Sequence, residues 1–252
     1  MLNRNASVKW QKFCVGLFFL LPICFVASWA SGCVFVSAGS ILWGREFSPL
    51  LCFSSGVVAW GVLFFVLPRP VWLYVFGHEL THAIWVWVFN GCVKEFKVTS
   101  SGGHIRTDKV NCWISLAPYF FPVYSFIVAW AWWLASFWFP LGAHMWVLYG
   151  LLGATWGFHV SFTLLTIPMI QSDITENGWL FSLSFIYLAN LILLSVFLIA
   201  LIPGMGFHDW FCGWVEGGQM LWKGCIKLYG WVSAAISFLV ATLYFGLAGL
   251  LF

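Results

Sequence analysis

The chain has 252 residues, 62% of them hydrophobic, 21% aromatic and only 8% charged. That composition excludes an ordinary soluble domain and fits a polytopic membrane protein lodged in a lipid bilayer. The net charge of +3, with no basic tract, argues against a nucleic-acid partner.

An apolar stretch needs about 20 residues to cross about 30 Å of hydrocarbon. Seven stretches qualify, approximately 13–38, 49–67, 71–89, 113–138, 145–170, 179–202 and 229–252. Backbone at membrane depth must satisfy its own hydrogen bonds, so each is expected to be a helix. The expected fold is all-α and polytopic, with about six to seven transmembrane helices and one membrane-embedded domain over 1–252. Its core is expected at about 71–178, with accessory helices at 13–67 and 179–252. The protein is expected to be multi-pass and integral, in the cell membrane if it is bacterial.

Arg4, Lys9 and Lys12 precede the first apolar run, as in a signal sequence. The run continues past Ala30-Ser31-Gly32-Cys33, a lipoprotein-like cleavage site, so an uncleaved first span is expected. Pro68-Arg69-Pro70 separates the second stretch from the third.

The third stretch holds His78-Glu79-Leu80-Thr81-His82, an H-E-x-x-H pattern. On a helix the two histidines, at i and i+4, share one face and can reach one zinc ion. Glu79 between them can act as general base toward a metal-activated water. Ionisable groups inside a membrane segment are costly, and they mark function by default.

Residues 90–111 break the apolar pattern. Val93, Phe96 and Val98 alternate with polar residues and predict a strand. Ser100-Ser101-Gly102-Gly103 predicts a turn, and His104-Ile105-Arg106-Thr107 a returning strand. A small β-hairpin is therefore expected beside the motif helix.

A catalytic zinc has three protein ligands and one open position. With only eight acidic residues in the chain, Asp173 stands out as the third ligand, with Glu176 as its rival. Pro168 is expected to loosen the helix before it. His159, Thr163 and Thr166 fall on one helical face that points toward Asp173 if the helix continues. They are candidates for a role behind the ligands or in binding substrate. Gly153, Gly157 and Ser161 form a small-residue face suited to close helix packing.

Between 203 and 230, Trp210, Trp214, Trp222 and Lys223 suggest an interfacial segment lying on the membrane. The eight cysteines form no C-x-x-C pair and read mostly as small apolar residues.

Across about 71–178 these residues resemble the site-2 protease family of intramembrane zinc metalloproteases. Phe76-Gly77-His78-Glu79-Leu80-Thr81-His82-Ala83 is similar to the family's motif helix. Asn90 to Phe96 resembles the strand that follows it, and Ile114-Ser115-Leu116-Ala117-Pro118 the start of the next core helix. Pro168 and Asp173 resemble the family's N-x-x-P…D-G segment, whose aspartate is the third zinc ligand. Leu165 and Ile174 stand where the family has its Asn and the Gly after Asp. The usual Gly before Pro118 is missing, as are PDZ and CBS domains.

The resemblance implies a divergent, minimal metalloendopeptidase with one Zn2+ per chain. It implies His78, His82 and Asp173 as ligands and Glu79 as base. The substrate would be a membrane protein or a signal-peptide-like segment. The alternative is a non-proteolytic metal-binding membrane protein, a transporter or sensor that reuses the site.

Overall fold

The computed structural model describes residues 2–42, 49–99, 102–169, 171–202 and 204–248. It is mostly helical, with one small antiparallel sheet. The amino-terminal run is one continuous helical segment: α1 (Leu2–Val15), a π-helical turn (Gly16–Leu20) and α2 (Leu21–Leu42). Next comes α3 (Pro49–Val66), then the motif helix α4 (Val71–Val88) beyond the Pro68-Arg69-Pro70 break.

Among the described residues, four helices are long and apolar enough to cross a membrane, or up to five if one bent pair counts as a span. The sequence suggested six to seven. Part of the difference lies at α4, which is absent from that group. His78, Glu79 and His82 dilute the hydropathy of its 18 residues. Large apolar side chains face outward over much of the surface, for example Phe65 at 83% exposure, as suits contact with lipid.

The stretch expected as one span at 113–138 is broken. It forms α5 (Cys112–Phe120) and α6 (Val123–Ala135), bent by 73°. Pro122 sits at the bend, where it lacks an N–H and fixes its own φ. Asn111 caps α5, its side chain accepting from the Ile114 N–H at 2.8 Å.

The next helix, α7 (Met145–Thr166), ends two residues before Pro168 and does not continue to Asp173. Asp173 instead lies on its own short helix, α8 (Ser172–Asn177). Gly178, with φ of +87°, then turns the chain into α9 (Trp179–Leu201).

No break appears at Gly230. A single 41-residue helix, α10 (His208–Ala248), replaces the expected interfacial segment and last span. Its sequence has no proline to stop it. Residues 249–252 of that expected span lie outside the described residues.

Small residues set the helix pairs. A Cβ on Gly153 would lie 1.9 Å from the Phe53 carbonyl oxygen, and one on Gly56 would lie 2.0 Å from that of Gly150. Only glycine lets α3 and α7 approach this closely. Trp60 Nε1 donates to Ser161 Oγ at 2.9 Å along the same seam, so the expected small-residue face is the α3 contact. Similarly, Gly213 and Gly217 seat α10 on Ala30 and Val26 of α2.

The hairpin is present as β1 (Val93–Thr99) and β2 (Gly102–Thr107), antiparallel, with Val98 opposite Gly103. Gly102 and Gly103, expected in the turn, belong to β2. Ser100 and Ser101 lie outside the described residues. The hairpin rests on α4, with the Phe96 and Phe76 rings 6.0 Å apart. Asp108 accepts from the Cys92 N–H at 2.7 Å and closes its base.

Candidate metal centre

Three side chains from two helices meet at one point. His78 Nε2 lies 3.2 Å from His82 Nε2 and 3.6 Å from Asp173 Oδ2, and His82 Nε2 lies 3.5 Å from the same oxygen. Ligand atoms of a tetrahedral zinc, each about 2.0–2.2 Å from the ion, sit about 3.3–3.5 Å from one another. The three atoms thus match the edges of a tetrahedral site. They form the one candidate metal group among the described residues.

The surrounding hydrogen bonds fix where the ring protons lie. His82 Nδ1 is 2.8 Å from the Ile114 carbonyl oxygen, which can only accept. Nδ1 therefore carries the proton and Nε2 is bare. That carbonyl is free because Pro118, four residues on, has no N–H to offer it. The proline within α5 thereby sets the tautomer of a histidine on α4.

His78 is fixed by a longer chain. Thr166 Oγ1 donates to the Phe162 carbonyl at 2.9 Å, so it accepts from Tyr74 OH at 3.0 Å. Tyr74 OH in turn accepts from His78 Nδ1 at 3.2 Å. Both Nε2 atoms are then acceptors facing each other and a carboxylate. Only a cation among them satisfies all three, and the spacing fits a metal ion.

Asp173 is held as firmly. Ile174 is fully buried against Leu116, Tyr119 and Phe120, anchoring α8. Tyr119 OH donates to Asp173 Oδ2 at 3.4 Å. Asn177 Nδ2 donates to the Asp173 carbonyl at 2.8 Å, and its Oδ1 accepts from Lys12 Nζ. Burial works against ionisation of Asp173. When the two imidazoles are protonated, the hydrogen bonds and charges of His78 and His82 outweigh it and hold the carboxyl below the usual carboxylate range.

A cavity of about 300 Å3 opens over the three atoms. Glu79 lines it and is only 7% exposed, and no described residue hydrogen-bonds its carboxylate. One wall is β2 from Gly103 to Ile105. A Cβ on Gly103 would come within 2.6 Å of Glu79 Cγ, so a glycine lets this strand press on the glutamate. Glu176, the rival ligand, lines the same cavity but is exposed and outside the convergent group. His104 also lines it and pairs with Glu95 at 3.7 Å.

The three α7 candidates separate. Thr166 joins the site through Tyr74. Thr163 does not: its hydroxyl is buried without a partner beside the groove between α7 and α9. His159 points into a separate small cavity behind His78. Thr163 and His159 fail to reach Asp173 because α7 stops at Thr166. Leu165 packs with Phe64, Phe158 and Phe162.

Sequence reasoning missed Tyr74 and Tyr119. Tyr74 was detectable, since it lies four residues before His78 on the same helical face. Tyr119 carried no signal, because it meets Asp173 only through the fold.

No family model, no curated protein and no solved structure matches this chain.

Proposed function

We propose that the protein is an intramembrane zinc metalloprotease of the site-2 protease type. The observation that carries this reading is the convergence of His78, His82 and Asp173 at tetrahedral spacing, with an unengaged Glu79 in the same cavity. His78, His82 and Asp173 would hold the ion. Zinc supplies Lewis acidity toward the scissile carbonyl and lowers the pKa of a water at its open position to about 7.

Glu79 takes the proton of the attacking water and hands it to the leaving amine. Its burial, with no hydrogen-bond partner among the described residues, suits that task. A transporter or purely structural metal site has no use for a free carboxylate there, which favours hydrolysis over the alternative.

The substrate is a membrane-protein or signal-peptide-like segment. It must unwind before its peptide bond is accessible, because helical hydrogen bonds shield it. Strand β2 pairs only with β1 among the described residues and lines the cavity. Its other edge can take an unwound substrate strand by main-chain hydrogen bonding.

The test is cleavage of single-span and signal-peptide-derived substrates in liposomes. The wild-type chain cleaves, and Glu79→Gln does not, though it binds zinc equally. Zinc binding with no Glu79-dependent cleavage of any such substrate would replace this reading with the metal-binding alternative.

A further inference from the structure

Asp173 stands on α8, a helix of only six residues. So short a helix cannot hold itself, because most of its carbonyls have no partner four residues on. Side chains supply part of what is missing. Ser182 Oγ donates to the Ile174 carbonyl at 3.0 Å. Asn177 Nδ2 donates to the main-chain carbonyl of Asp173 at 2.8 Å.

Asn177 can do this only one way round. Its amide carries an oxygen on one side and a nitrogen on the other, and the nitrogen must face Asp173. Lys12 Nζ, from the other end of the chain, donates to Asn177 Oδ1. An ammonium has three donors and no acceptor, so it accepts only the oxygen side of the amide. Turned over, the amide would set its oxygen against the Asp173 carbonyl and its own N–H groups against a cation.

The amino-terminal helix delivers Lys12 to this place. A Cβ on Gly16, in the π-helical turn, would lie 3.2 Å from the Phe181 main-chain nitrogen. Glycine there lets the helix press on the start of α9. Lys12 lies four residues before Gly16 and so falls on the same face. Its Nζ is also 5.9 Å from the centre of the Phe181 ring. Lys12 thus touches both sides of Gly178: the last residue of α8 and the first turn of α9. Among the described residues no carboxylate forms an ion pair with it.

We propose that Lys12 is a positioning residue for the metal centre. Through Asn177, the amino-terminal helix clasps the junction of α8 and α9 and holds Asp173 toward His78 and His82. The bearing on the metal rests on the reading above, whereas the clasp does not.

Two measurements on the full chain test this. The first is zinc affinity by competition with a chromophoric chelator. Lys12→Met keeps an unbranched stem but has no donor. It should bind zinc about tenfold more weakly, the low end of the loss from removing a group behind a ligand. Lys12→Arg, which keeps a donor, should recover most of that loss. Asn177→Leu should also weaken binding, and the double variant should bind no worse than Asn177→Leu alone, because the two side chains act in series. Unchanged affinity in Lys12→Met, or losses that add in full, overturns the positioning role.

The second is amide hydrogen exchange of the metal-free protein. In Lys12→Met the amides of α8 should lose protection while those of α3 keep theirs. Unchanged protection of α8 overturns the clasp. A wild-type chain that binds no zinc overturns the positioning role together with the metal centre, and exchange still decides the clasp.

Discussion

A cavity larger than the candidate site lies elsewhere among the described residues. A groove of about 630 Å3 runs between α2 and α10, twice the size of the one over His78. It too holds chemistry-bearing residues: Asp209, Glu216, Cys33 and Cys212. There, however, the polar groups are paired off separately. Ser37 donates to Asp209 at 2.7 Å, Trp29 Nε1 to Glu216 at 3.2 Å, and Cys212 meets His208 at 3.5 Å. At the candidate metal centre three acceptors face one another instead. Reactive residue types near a cavity do not make a site; convergence of like-charged or like-accepting atoms does.

The comparison is sharpened first by Glu79→Gln. Losing a general base should cost cleavage about 10^2–10^4-fold, with zinc content unchanged. Turnover of a membrane substrate measured beside metal analysis checks both halves. Tyr74→Phe removes the acceptor that orients His78. Zinc affinity should fall by about 10–100-fold, read by chelator competition.

Gly103→Val drives a side chain into Glu79 while leaving the three ligands alone. Cleavage should fall by roughly tenfold or more, since small displacements of a reacting group are costly. Zinc affinity should hold. A Gly103→Val enzyme with full activity would show that β2 does not press on the base. The smallest effect belongs to the α2–α10 groove. Glu216→Ala and Cys212→Ala break exposed pairs worth little, so zinc affinity and cleavage should stay within about twofold of wild type. A large loss of zinc in either would break the contrast between the two regions.

Much of the candidate site was legible in the sequence because it is local. The histidines and Glu79 sit within one helical turn and a half, and the apolar stretch expected at 71–89, bounded by Pro70 and the polar residues after Phe89, lies within one residue of the observed helix Val71–Val88. The hairpin was legible from alternation. Asp173 was found by scarcity of acids and by resemblance, and the geometry puts it beside both histidines. What stayed hidden is non-local. Pro118 and Pro122 lie within an unbroken apolar run, so 113–138 read as one span although its prolines bend it. The polar face of α7 read as one unit, yet the helix ends at Thr166 and only that residue reaches the site. The 41-residue α10 was hidden because tryptophans mark an interface equally well within a long helix.

The central claim is that His78, His82 and Asp173 together hold one zinc. Elemental analysis of detergent-purified protein tests it most directly, on wild type, His78→Ala, Asp173→Ala and Glu79→Gln. The account predicts about one zinc per chain in wild type and Glu79→Gln, and almost none in the other two, as expected for a three-ligand site. Zinc retained after Asp173→Ala would move the third ligand elsewhere. A wild-type chain that stays zinc-free under zinc supplementation would contradict the account.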